Sequence, residues 1–203
     1  MAQLCLHIDV PMCSFRPYTS KDYQDTYPAP PPSTLFGMLL SLLGVEPQQA
    51  ERFFGNRIGI AIKEEAEVSQ IVRKMRRDPA SGNITSPQYR PEYQEILTDL
   101  KVYCLIDDNE ARQESLVSAL NEALDKPESL DRYGGLCLGE STFLVDAIHR
   151  KKNPPECLLL QPDERGTLVM PVWTNFQLRS RTRLQRFELV RGSLDQADIM
   201  IEG

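Results

Sequence analysis

Three segments of this chain combine residue types that suit a polyanion. The first runs Ser14-Phe15-Arg16-Pro17-Tyr18 and resumes at Thr26-Tyr27-Pro28-Ala29-Pro30-Pro31-Pro32-Ser33-Thr34-Leu35-Phe36-Gly37. It interleaves an arginine, aromatic rings and stiff prolines just ahead of a helix-forming stretch. Single-stranded nucleic acid needs cations for its phosphates, flat rings for unstacked bases, and free backbone amides at a helix start. Arg16, Tyr18, Tyr27, Ser33 and Thr34 are therefore candidate contacts, although a proline-tyrosine packing loop would have a similar composition. The second segment is Tyr133-Gly134-Gly135-Leu136-Cys137-Leu138-Gly139-Glu140-Ser141-Thr142-Phe143-Leu144-Val145. Glycine lets a backbone approach a phosphate, and hydroxyls can donate to one, which singles out Gly139 and Ser141. The spacing fits neither a Walker A loop nor a dinucleotide fingerprint, so nucleotide hydrolysis has no support, and a tight structural turn would read the same way. In the third segment Arg179, Arg181 and Arg183 alternate with Ser180 and Thr182. An extended strand would set these arginines on one face, roughly 6.6 Å apart.

Two further basic clusters, Arg73-Lys74 with Arg76-Arg77, and Arg150-Lys151-Lys152, complete the candidate cationic surface. Either could equally be a solvated face. The whole chain carries a formal net charge of −6 over 203 residues, which argues against binding nucleic acid over its entire surface. An acidic body with segregated basic segments can instead grip a polyanion on one side and pack against proteins elsewhere. His7 and His149 are the only histidines, so a histidine-rich metal site is ruled out while an all-carboxylate magnesium site stays open. Cys5, Cys13, Cys104, Cys137 and Cys157 lack CxxC spacing and are odd in number, which suggests reduced thiols. No cofactor and no metal are expected.

The elements that would position these residues follow from periodicity. Hydrophobic residues make up 41% and charged residues 26%, ordinary for a globular chain of one main domain. From Gln3 to Val10 the pattern alternates, with Leu4, Leu6, Ile8 and Val10 on one face, which predicts a half-buried strand. Ser33 or Thr34 is expected to cap a helix reaching Leu43, with Gly44 as its left-handed stop. Pro47 to Gly55 brackets a shorter helix, and Asn56 to Ile62 reads as a second strand. The polar stretch from Lys63 to Asp99 is long for a loop and is expected to project as an arm. Leu100 to Ile106 is the third strand. Asp108 or Asn109 then caps an amphipathic helix bearing Leu116, Leu120 and Leu124. The order matches the start of a ferredoxin-like or RNA-recognition-type βαββαβ unit in an α+β fold. Its fourth strand is either Phe143 to Ile148 or Cys157 to Leu160. Residues 1–150 would form this domain, with the arm at 63–99, and residues 151–203 a β-rich C-terminal extension packed on it. No apolar run approaches the roughly 20 residues of a membrane helix, so no membrane partner and a cytoplasmic location are expected.

The run Ser14-Phe15-Arg16-Pro17, with Thr26-Tyr27-Pro28, Pro30-Pro31-Pro32-Ser33-Thr34-Leu35, Gly37 and Leu43-Gly44, resembles the N-terminal signature of the Cas five family. These are CRISPR-associated proteins of the repeat-associated mysterious protein superfamily. Leu138-Gly139-Glu140-Ser141-Thr142-Phe143 is similar to a second element of that family, in which arginine is common where this chain has Glu140. The resemblance implies a prokaryotic subunit of a type I Cascade complex that holds the 5′ handle of the guide RNA. It also implies contact with the backbone and large subunits, and with target DNA indirectly through the complex. Its arm would touch the guide or the first backbone subunit.

Some members of the family also cut the repeat RNA with a tyrosine, lysine and histidine group. Here no lysine-histidine pair is visible in the sequence, so a non-catalytic clamp without catalytic residues is the expectation. A metal-independent repeat endoribonuclease is the alternative, and a purely protein-binding adaptor is a third class.

Overall fold

The computed structural model describes residues 3–17, 20, 23–77, 88–108, 113–132, 134–173, 182–194 and 201–202, with side chains left undescribed at 74–77, 88–90 and 201–202. Tyr18, Arg179 and Arg181 lie outside the described residues, as do the side chains of Lys74, Arg76 and Arg77.

The alternation that begins at Gln3 continues to Cys13 and forms β1 (Gln3–Cys13), whose Leu4, Leu6, Ile8 and Val10 are buried. A two-residue β2 (Tyr23–Gln24) follows, and then α1 (Pro32–Leu42). Helix α1 is capped by neither Ser33 nor Thr34. The cap position is Pro31 and no side chain caps the helix, because Pro32 enters the first turn with its φ already helical and no amide to satisfy. Gly44 does adopt the left-handed conformation, with φ of 71°. A 3-10 helix (Pro47–Phe53) leads to β3 (Arg57–Ile62).

The polar stretch after β3 is an antiparallel hairpin. Strand β4 (Glu67–Arg77) pairs with the first half of β5 (Gln88–Asp107), from Glu67 opposite Thr98 to Arg77 opposite Gln88. The second half of β5 runs between β1 and β3 at the centre of the sheet. Arm and core therefore share one continuous 20-residue strand.

Helix α2 (Leu116–Asp125) is capped by Ser115, which accepts a hydrogen bond from the Ser118 amide at 2.9 Å, and not by Asp108, while Asn109 lies outside the described residues. The next strand, β6 (Ala147–Arg150), pairs antiparallel with β1 and overlaps only the end of the expected Phe143 to Ile148 run. The rival segment, β7 (Cys157–Pro162), lies on the other side of the sheet beside β3. Beyond it β9 (Arg183–Gly192) pairs with β7, and β8 (Leu168–Trp173) with β9. A short β10 (Ile201–Glu202) pairs with β3.

The result is a mixed α and β fold dominated by a large antiparallel sheet of order β6-β1-β5-β3-β7-β9-β8. The helix-covered face of the sheet carries the main core, in which Leu6, Ile8, Leu35, Leu39, Ile60, Ile106, Leu116, Leu120 and Phe187 are buried. Because side chains alternate across a pleated strand, the intervening residues of β1 and β5 face the opposite side. A smaller apolar cluster of Tyr103, Leu105, Cys157, Leu159 and Leu194 forms there. No helix among the described residues is long and apolar enough to cross a membrane.

Candidate nucleic-acid interface

Three separate stretches of sequence meet at the end of β1. As the strand ends, Ser14 and Phe15 turn inward and are buried, while Arg16 stays exposed. The Phe15 amide donates to Thr26 Oγ1 at 2.9 Å, and the Tyr27 amide donates to the Phe15 carbonyl at 2.9 Å, so the two halves of the proline-tyrosine segment close on each other. The buried ring of Phe15 holds its neighbour Arg16 at the surface, where the guanidinium donates to the Ser20 carbonyl at 3.3 Å.

Tyr27 does not present a ring for base stacking. It is only 9% exposed, belongs to the core, and donates its hydroxyl to the Val169 carbonyl on β8. The sequence marks it as aromatic in a polar loop, but burial of its ring outweighs display, and it serves as an anchor. A polar network ties the same loop to the arm. Gln24 Nε2 donates to Glu92 Oε2 at 2.8 Å, the Thr26 amide to Glu95 Oε2 at 3.2 Å, and the Tyr23 hydroxyl to Glu95 Oε1 at 2.7 Å.

The glycine turn packs on this assembly. Gly139 has φ of 93°, and a Cβ there would come within 2.5 Å of the Ser14 carbonyl oxygen and 3.2 Å of the Phe15 ring. Only glycine allows that approach. Ser141 and Thr142 are exposed beside it, and Cys137 bridges Leu144 to close the turn. Glu140 points to the arm. Its carboxylate receives Arg73 Nη1 at 2.8 Å and Gln94 Nε2 at 2.6 Å, and the Arg73 guanidinium lies 5.6 Å from the Phe143 ring centre. The acidic residue thus brings a cation from β4 to the turn. Ser14 Oγ and Gln94 Oε1 are buried beside this junction without a hydrogen-bond partner among the described residues, an arrangement that costs free energy unless a polar group reaches them.

Ser33 and Thr34, both half-buried in the first turn of α1, share a cavity wall with Gly37, Cys137, Gly139 and Trp173. Arg183 is exposed at the start of β9, directly opposite Trp173 in register. The structure therefore brings Arg16, Arg73, Gly139 and Ser141 to one junction and sets Ser33 and Thr34 in a cavity wall that also includes Gly139, while Arg183 pairs in register with Trp173 of that wall.

Arg150 and Lys151 do not join them. Arg150 ends β6 and Lys151 follows it, across β1 from the arm. Arg150 Nη2 pairs with Asp125 Oδ1 at 2.8 Å and its Nε donates to Asn121 Oδ1 at 2.9 Å, fastening the edge strand to the last turn of α2. Lys151 is exposed, and its amide donates to the Cys5 carbonyl at 2.9 Å. Basic runs look alike in sequence whether or not they share a face. Their direction is set by strand register, which no local pattern reveals. Gln94 at the junction and Trp173 in the cavity wall carry little signal in sequence, one a polar residue inside a strand and the other a lone tryptophan at a strand end.

The opposite face of the sheet holds a second polar group. His7 and His149 are register partners across β1 and β6, and His7 stacks on Tyr103 at 4.9 Å and 22°. His7 Nε2 lies 3.6 Å from Asp9 Oδ1, which in turn lies 3.5 Å from Lys101 Nζ. Burial is the main cause holding the His7 pKa below its ordinary value, opposed by Asp9 and reinforced by Lys151, Lys101 and His149. The lysine-histidine proximity invisible in the sequence thus exists through pairing of distant strands. Burial pushes the Cys13 thiol up to about 12, which makes it inert. No cluster that could hold a metal occurs among the described residues.

A family model described as CRISPR-associated protein (Cas_Cas5) matches residues 3–150. The chain is 29% identical over 197 residues to "CRISPR-associated protein Cas5" from Myxococcus xanthus (strain DK1622), covering 93% of this chain and 89% of that one. Its fold is similar to a chain of a "CRISPR RNA-guided surveillance complex", with a TM-score of 0.63, 15% identity and coverage of 95% and 90%. A second solved structure, "Crystal structure of Cas protein", aligns with a TM-score of 0.52 at 16% identity over 100% of this chain and 99% of that one.

Proposed function

The chain belongs to the CRISPR-associated Cas5 family, and from that premise we propose that it is a non-catalytic, RNA-binding subunit of a type I Cascade surveillance complex. It holds the 5′ handle of the guide RNA and caps the backbone beside the large subunit, meeting target DNA only through the complex and working in the prokaryotic cytoplasm. The observation that carries this reading is the meeting of the Ser14–Arg16 segment, the Gly139–Ser141 turn and Arg73 of the arm in one junction, at whose surface Arg16 and Ser141 are exposed. Such a junction offers cations, hydroxyls and close backbone approach without any activated nucleophile.

We read β1-α1-β3-β5-α2-β6 as a ferredoxin-like unit. The neighbour order β6-β1-β5-β3 and the antiparallel pairing of each contact support it. The β4 hairpin is its arm, and β7 to β9 extend the same sheet from residue 151 onward.

The test is retention of guide RNA in the complex co-expressed with its partner subunits. Arg16→Ala should lower the RNA retained and reduce the log-log salt slope by about 0.7, the value of one lost phosphate contact on a single strand. Unchanged retention and slope would refute the assignment of Arg16.

One observation favours a second reading, the metal-independent repeat endoribonuclease. His7, His149, Tyr103 and Lys101 gather on the opposite face of the sheet, and two imidazoles can share the proton transfers of 2′-hydroxyl attack. Labelled repeat RNA incubated with EDTA separates the readings. Cutting that survives EDTA and disappears in His149→Ala supports the nuclease, and intact RNA supports the clamp.

A further inference from the structure

A cavity of about 450 Å³ opens beside the glycine turn, between the exposed side of α1 and Trp173 of β8. That volume lies in the range of small-ligand sites. Its walls are built from sequence segments far apart in the chain. Phe36 and Phe54 meet the Trp173 ring edge-to-face at 6.3 Å and 5.0 Å and fix the indole in place. Gly37 and Gly139 leave the space between helix and turn open, and a Cβ at Gly37 would meet nothing within 4 Å. The hydroxyl-bearing Ser33, Thr34 and Ser41 are the polar side chains of the lining.

The charge of the lining decides the class of occupant. None of the lining residues is charged, so a phosphate or an ionised side chain would lose its hydration without gaining a counter-ion. A flat neutral ring with hydrogen-bonding edges suits a mainly aliphatic lining that includes the Phe36 and Trp173 rings and a few hydroxyls. The cavity also shares Gly139 with the junction described above, so a strand whose backbone crosses the turn has a base within reach of it. We propose that this cavity accepts one unstacked nucleobase of the bound RNA, packed against Trp173 and hydrogen-bonded by the α1 hydroxyls. The proposal rests on the RNA-clamp reading and adds to it where one base, rather than the backbone, is held.

Trp173 is the single tryptophan of the chain, so its fluorescence reports the cavity directly. The experiment titrates the full chain with a single-stranded RNA carrying the handle sequence, and with a series of the same RNA in which one nucleotide at a time is abasic. Binding is read separately by anisotropy of a dye on the RNA 3′ end. Intact RNA should quench Trp173. One abasic position, and only one or two, should abolish the quench and weaken binding roughly 5- to 150-fold, the range for losing a stacked base. Gly37→Leu, which fills the cavity from an open helical position, should abolish the quench while a thermal melt shows the fold retained.

RNA that binds with unchanged emission, or whose quench survives every abasic position, overturns the cavity assignment and leaves the clamp standing. RNA that binds neither the chain nor its assembled complex overturns both. A quench produced by a leucine-rich peptide from a partner subunit, with none from RNA, would assign the cavity to protein docking and likewise refute the proposal.

Discussion

Replacing Gly139 with alanine tests whether the turn and the Ser14-Phe15 segment form one unit. The backbone there has φ of 93°, which an L-residue adopts at a cost of about 1–2 kcal/mol. The added Cβ would also stand 2.5 Å from the Ser14 carbonyl oxygen and 3.2 Å from the Phe15 ring. The ring could tilt, but the carbonyl belongs to the main chain and must be displaced, and overpacking of this kind costs about 1–3 kcal/mol. The sum is a loss of about 2–5 kcal/mol, or a Tm lower by roughly 4–20 °C for a chain of this size. The internal control is Gly37→Ala. Gly37 is helical and its Cβ would enter open space, so the same chemical change should stabilise by about 0.5–1 kcal/mol. Urea unfolding of both variants reads the contrast. Guide RNA retention should fall in Gly139→Ala because Arg16 is displaced with its neighbours. Equal stability of the two variants would refute the packing argument.

A double-mutant cycle on Arg73→Ala and Glu140→Gln should show a coupling of about 0.5–1 kcal/mol, since both side chains are 28% exposed and water screens the pair; zero coupling would mean the arm is not fastened there. Arg150→Ala should cost about 0.5–1 kcal/mol of stability by releasing β6 from α2, while the salt slope of RNA binding stays unchanged. His7 has a folded-state pKa below 6.5, so the unfolded chain binds the extra proton first and stability is lost as pH falls below that value. A Tm series between about pH 7.5 and about pH 5.5 should decline, and His7→Gln should flatten the decline; an unaltered slope would show that another group is responsible.

Local pattern exposed some of these elements and concealed others for identifiable reasons. Alternation along Gln3 to Val10 marks β1 because one face is buried and the other is not. The arm shows as an unusually long polar stretch and Leu100 to Ile106 as a strand, but the extension of β5 back to Gln88 does not show, since Pro91 and the mix of charged and aromatic residues break any period there. Strand β6 shows little because a four-residue edge strand with two exposed residues carries almost no hydrophobic signal. The caps expected at Ser33 or Thr34 and at Asp108 or Asn109 give way to proline geometry at Pro31-Pro32 and to the hydroxyl of Ser115. At the site, Gly139, Ser141, Arg16 and Arg73 could be picked out by residue type. That Glu140 joins Arg73, that Tyr27 is interior, and that His7 faces His149 all depend on pairing between strands distant in sequence.

Photo-crosslinking reads the path of the guide RNA across the two faces of the sheet. The complex is assembled on guide RNA whose handle carries 4-thiouridine, irradiated, and digested to peptides. The account predicts crosslinks in the peptides containing residues 14–17 and 137–143. Crosslinks confined to the peptides bearing His7 and His149, on the other face of the sheet, would contradict it.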